Sequence, residues 1–129
     1  MLNPTGLGIR SDSAGDGHYR AKRGSRLHAG LDLLCDPYQP IKAPIAGKVS
    51  RQVQVYKDDT DWKGVEIIGE RMTIKLFYMV PIENLLGTDI EVGTVLGFAQ
   101  DISKKYGSTM QPHIHVEITK IDPECLLEI

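Results

Sequence analysis

The sequence predicts a mainly β fold: a compact antiparallel β-sheet domain of the barrel-sandwich type, preceded by an extended N-terminal arm. Three observations carry this prediction. From residue 30 onward the apolar residues fall in short runs bounded by Gly, Pro or polar turn signals, as strands do. No segment carries a sustained apolar stripe at helical spacing. Two stretches, IKAPIAGKV (41–49) and IEVGTVLG (90–97), each place Gly where a strand reverses or where backbones approach closely.

Taken in order, residues 1–27 are rich in Gly, Ser, Asp and Arg and lack periodicity, which predicts an arm or loop wrapping the domain. The basic cluster Arg20, Lys22, Arg23 and Arg26 reads as a solvated face, or as a contact for a carboxylate-bearing substrate. Residues 30–34 form a brief apolar strand. Strands at 41–45 and 47–55 follow, joined near Pro44 and Gly47, the second alternating through Val49, Val53 and Val55. The polar segment KDDTDWKG (57–64) predicts a loop. Residues 65–68 and 72–79 predict a hairpin around GER, and 94–99 and 113–118 the last strands. One helical turn is expected at 81–86.

Length and charge limit the functional classes. A chain of 129 residues supports one domain with a modest core. The net charge of −2 argues against duplex nucleic-acid binding, which calls for a basic excess. No run approaches the ~20 apolar residues of a membrane helix. The N-terminus has no apolar core of a signal peptide. The expectation is therefore cytoplasmic synthesis, with phage-borne, lytic or otherwise indirect export if the protein acts outside the cell. Without a signal peptide, Cys35 and Cys125 are expected as two buried thiols rather than a disulfide.

The chemistry-bearing residues are His28 and Asp32 in an HxxxD motif, and His113 and His115 in an HxH motif; they include three of the chain's four histidines. Imidazole and carboxylate together suit zinc, and a set with one open position describes a hydrolytic site. On a strand the two histidines of HxH share a face, roughly 7 Å apart. Fully extended, His28 and Asp32 would stand about 13 Å apart. Donors bind zinc at ~2 Å, so the chain must bend between them, and Gly30 would permit it. Nucleophile-elbow, phosphate-loop and CxxC motifs are absent from the sequence.

RLHAGLDLLC (26–35), APIAGKV (43–49), KLFYMVPI (75–82), IEVGTVLG (90–97) and QPHIHVEI (111–118) occur in an order that resembles the lysostaphin-type zinc metallopeptidases, many of which cleave peptidoglycan cross-links. The likeness runs from about residue 17 to the C-terminus. It implies a lysostaphin-like domain over 17–129 with 1–16 as an N-terminal extension. It further implies that His28, Asp32 and His115 hold Zn²⁺ and that His113 is catalytic. Active members carry a second catalytic His in a Tyr-x-His-Leu segment. The matching stretch here is Phe77-Tyr78-Met79-Val80-Pro81, which puts Val80 where that His is expected. Tyr78, Tyr106 and His18 are candidates to substitute for it. The FYxxPI segment also resembles the non-catalytic leukocyte-derived chemotaxin branch.

Two functions follow from this resemblance. One is a zinc-dependent endopeptidase acting on peptidoglycan cross-links. The other is a zinc-stabilised binding or structural module with a protein ligand. The oligomeric state is not legible from the sequence.

Overall fold

The structure, a computed structural model, describes residues 1–128. The arm carries two small ribbons, β1 (Ser11–Asp12) with β2 (Gly15–Asp16) and β3 (Lys22–Arg23) with β4 (Arg26–Leu27). The body follows as β5 (Leu31–Leu34), β6 (Pro40–Lys42), β7 (Gly47–Tyr56), β8 (Asp59–Ile68), β9 (Met72–Phe77), β10 (Met79–Pro81), β11 (Asp89–Ile90), β12 (Val95–Ala99) and β13 (His113–Ile121). A six-stranded antiparallel sheet has the order β11-β7-β8-β9-β13-β5, and a three-stranded sheet the order β10-β12-β6. Among the described residues, helix is confined to one turn, α1 (Ser103–Tyr106), and two 3₁₀ turns at Glu83–Leu85 and Pro123–Cys125.

Period-two alternation decides what faces the core. Val65 and Ile67 on β8, Ile74 and Leu76 on β9, and Ile114 on β13 are fully buried and pack with Val49, Ile41, Leu96 and Met79. On β13 the residues flanking Ile114 point the other way. His113 and His115 are buried as well, but on the opposite face of the sheet, beneath the arm. The same parity puts Leu31 and Leu33 of β5 against the core and Asp32 on the histidine face.

The structure departs from three sequence expectations. Residues 59–64 are not a loop: β7 and β8 pair down to Tyr56 opposite Asp59, so the reversal takes only Lys57 and Asp58. This end of the hairpin is polar because it projects past the core, where Lys105 pairs with Asp59 and Gln100 bonds the backbone of Asp61 and Lys63. The predicted strand 72–79 is broken at Tyr78, whose φ is +70°. Finally, both cysteines are free thiols, but only Cys35 is buried; Cys125, in the short C-terminal 3₁₀ turn, is exposed.

The arm is bound along much of its length. The Leu2 N–H donates to the Pro44 carbonyl, Lys42 to Pro4, Leu34 to Gly8 and Arg10 to Asp32. This brings Arg10, 3% exposed, under the histidine face.

Candidate metal centre

Register builds the site. Across the β5–β13 ladder His115 is paired with Asp32, and across the β9–β13 ladder it is paired with Phe77. Paired residues share a face, so the His115 ring has the Asp32 carboxylate on one side. On the other it stacks on Phe77, with centroids 5.3 Å apart and planes 8° from parallel. His28 arrives from the loop after β4. It can come this close because Gly30 has no side chain: a Cβ there would lie 2.4 Å from the Val116 carbonyl and 2.6 Å from His115 Nε2. Gly30 is thus needed for close approach, and the bend expected there is made without a positive φ.

Three atoms converge. His28 Nε2 lies 3.1 Å from His115 Nδ1 and 3.2 Å from Asp32 Oδ1, and the latter two are 3.1 Å apart. The outer nitrogen of each imidazole faces an acceptor. His28 Nδ1 donates to the His18 carbonyl (3.0 Å), and His115 Nε2 donates to Glu117 Oε1 (3.1 Å). A carbonyl or carboxylate oxygen can only accept, so each ring, when neutral, turns its lone pair inward. Three acceptors then face one another and call for a shared cation. Their spacing is close to the ~3.3 Å edge of a tetrahedron with bonds near 2.0–2.1 Å, and the mixed imidazole and carboxylate set fits zinc. His28, Asp32 and His115 form the only such His/Asp cluster among the described residues.

His113 stands beside this cluster, outside it. Its Nδ1 donates to the Gln111 carbonyl at 2.7 Å, and Nε2 lies 3.7 Å from Asp32 Oδ2. Burial lowers the His113 pKa, against the opposing pull of the Gln111 carbonyl and Asp32, leaving a neutral base with Nε2 available. Burial would raise the Asp32 pKa, but hydrogen bonding to His115 and the surrounding imidazoles outweigh it and hold the carboxyl below the usual range. Burial would lower His115, yet Asp32 and Glu117 raise it. The second Asp32 oxygen is held by Arg10 Nε at 3.2 Å, and Arg10 is itself tied to Asp12 at 2.9 Å.

The cluster floors a cavity of about 440 Å³. Arg10, Arg23 and Arg26 line one part of it, and the phenols of Tyr56, Tyr78 and Tyr106 another. Tyr78 meets His113 edge-to-face, with centroids 5.5 Å apart. Its hydroxyl is 3.0 Å from that of Tyr56, which lies 2.6 Å from that of Tyr106. Burial, with these bonds, pushes the Tyr56 pKa up, and burial does the same for Tyr78.

The sequence-predicted residues therefore sort unequally. His28, Asp32, His113 and His115 are brought together. Val80 does not border this cavity. The left-handed residue at Tyr78 resets the strand alternation, so that Phe77 and Tyr78 both face the site. Val80 instead lines a separate groove with Trp62 and Phe98. His18 contributes its backbone carbonyl, while its side chain is exposed. Arg10, Tyr56 and Glu117 escaped the sequence reading. Glu117 was legible in principle, two residues beyond His115 on the same strand face, whereas nothing local marked Arg10 or Tyr56.

Comparison with known proteins agrees with this architecture. Leukocyte cell-derived chemotaxin-2 of Bos taurus is 37% identical over 107 residues, covering 82% of this chain and 69% of that protein. Its Mus musculus counterpart is 35% identical over the same length. Among solved structures, the catalytic domain of the antimicrobial peptidase lysostaphin from Staphylococcus simulans superposes with a TM-score of 0.57, covering 90% of each chain at 17% identity. A point mutant of the catalytic domain of the prophage-encoded M23 protein EnpA from Enterococcus faecalis gives 0.60, covering 95% of this chain and 93% of that one at 18% identity. No family model matches the chain. The chain belongs to the family of the leukocyte cell-derived chemotaxin-2 proteins and has the fold of the lysostaphin-type (M23) peptidase domains.

Proposed function

We propose that the protein is a zinc-dependent endopeptidase acting on the peptide cross-links of bacterial peptidoglycan. The observation that carries this reading is the inward-facing trio of His28 Nε2, Asp32 Oδ1 and His115 Nδ1, with a free imidazole nitrogen of His113 beside it. A zinc held only for structure would have no use for that fourth group.

His28, Asp32 and His115 would hold the ion, and zinc, when bound, supplies Lewis acidity toward a carbonyl and toward water. The chain's own residues do the rest. Glu117 and the His18 carbonyl fix the tautomers of the two ligating imidazoles, and Arg10 fixes the carboxylate. His113 Nε2 accepts a proton and returns it to the leaving amine. Tyr78, backed by Tyr56, presents a hydroxyl opposite His113 that can donate to the developing oxyanion. Phe77 shields one side of the His115 ring from solvent.

The test is release of free amines from purified cell walls by zinc-loaded protein. Release that stops with a chelator and in His113→Ala supports the reading. Intact walls, or release that persists in His113→Ala, would end it.

A second reading, a zinc-stabilised binding module for a protein ligand, is favoured by one observation: the curated relatives are leukocyte cell-derived chemotaxins. It requires that metal removal lower the melting temperature while no cell-wall hydrolysis is found at any metal load.

A further inference from the structure

The lining of the cavity is electrostatically one-sided. Three guanidinium groups, of Arg10, Arg23 and Arg26, border it against two carboxylates, of Asp32 and Glu117. Both carboxylates are already committed, Asp32 to His28, His115 and Arg10, and Glu117 to His115. Arg10 is consumed by Asp12 and Asp32. Arg23 donates to the Lys22 and Asp16 carbonyls and stands 3.6 Å from Asp32 Oδ2. Arg26, on the exposed β4, has no ion pair among the described residues. A divalent ion at the triad would add two more positive charges.

A concave, partly desolvated site with excess charge of one sign concentrates ligands of the other. A guanidinium fork also matches a carboxylate in geometry, giving two parallel hydrogen bonds that a carboxamide does not reproduce. Leu27, Phe77 and Met110 add apolar surface to the same lining, which suits a peptide better than a bare anion.

We propose that the arginine-lined end of the cavity binds a carboxylate of the ligand, so that the protein selects acidic peptides, with Arg26 as the specificity-determining residue and Arg23 assisting. This rests on the reading of the cavity as a peptide site.

The experiment is an NMR titration of the full chain, zinc-loaded and chelator-stripped, with acetyl-Ala-Glu-Ala-amide and its glutamine counterpart. The glutamate peptide is expected to bind roughly tenfold more tightly, in both forms, with the gap narrowing as salt is raised. Arg26→Gln should reduce the preference to within about twofold, and Arg26→Lys should leave it intermediate. Equal affinities, no binding of the glutamate peptide at millimolar concentration, or a preference that survives Arg26→Gln would overturn the proposal; a surviving preference confined to the zinc-loaded form would place the carboxylate on the metal. A protein that keeps the Arg26-dependent preference but binds no zinc would instead count against the metal reading alone.

Discussion

His115 stands directly across the β5–β13 ladder from Asp32, and that single register brings two motifs more than eighty residues apart into one donor set. A slip of one residue between these strands would put the two side chains on opposite faces, one of them toward the core. Ile114, fully buried between the two histidines, is what fixes the parity.

Glu117 continues that face and orients His115 from behind. Glu117→Gln should leave the fold intact and weaken zinc affinity by about 10- to 100-fold, the usual effect of losing a partner that orients a ligating imidazole. Titration against a competing chelator measures it. Unchanged affinity would show that the Phe77 stack suffices to orient the ring.

The left-handed residue at Tyr78 separates two substitutions that look alike in sequence. Val80→His should not raise hydrolysis, because position 80 lines the groove with Trp62 and Phe98. Tyr78→Phe should lower it on the order of 10²-fold if the hydroxyl donates to the oxyanion. Cell-wall assays on both variants, with circular dichroism to verify folding, decide the point. A gain from Val80→His would mean that the strand shifts register when substrate binds.

Much of this was legible in the sequence, and the exceptions have physical causes. Period-two patterning located most strands because a sheet with one buried face must alternate. It failed at 59–64, where the hairpin runs beyond the core and needs no apolar residue. It failed again at Tyr78, where a left-handed residue shifts the alternation without a glycine to announce it. HxxxD and HxH marked the site because both lie on or beside paired strands. Arg10 and Tyr56 had no such marker, since only tertiary packing of the arm and of the β7–β8 hairpin brings them to the cavity.

Arm docking makes stability depend on acid. Burial would raise the Asp12 pKa, but the Gln111 and Ala14 N–H groups and Arg10 lower it below the ordinary 3.8. A depressed carboxylate stabilises the fold above its unfolded pKa and loses that contribution as pH falls through its folded value. Asp12→Asn should therefore cost about 1–2 kcal/mol at pH 7, a difference that shrinks progressively as pH falls below 3.8, read from urea midpoints across pH. A pH-independent difference would trace the effect to packing alone.

The two thiols should differ in reactivity. Burial, with Asp36 and Asp101 nearby, pushes Cys35 up to about 12, while Cys125 is exposed. Iodoacetamide at pH 8 should label Cys125 alone, and Cys35 only after unfolding. Mass spectrometry of the peptides reads this out, and equal labelling in the native protein would mean that the β5 end opens readily.

The measurement closest to the central claim is calorimetric titration of chelator-stripped protein with Zn²⁺. The account predicts one ion per chain with a Kd below about 0.1 µM, lost in Asp32→Ala and in His115→Ala. Absence of saturable binding, or binding that survives both substitutions, would contradict it.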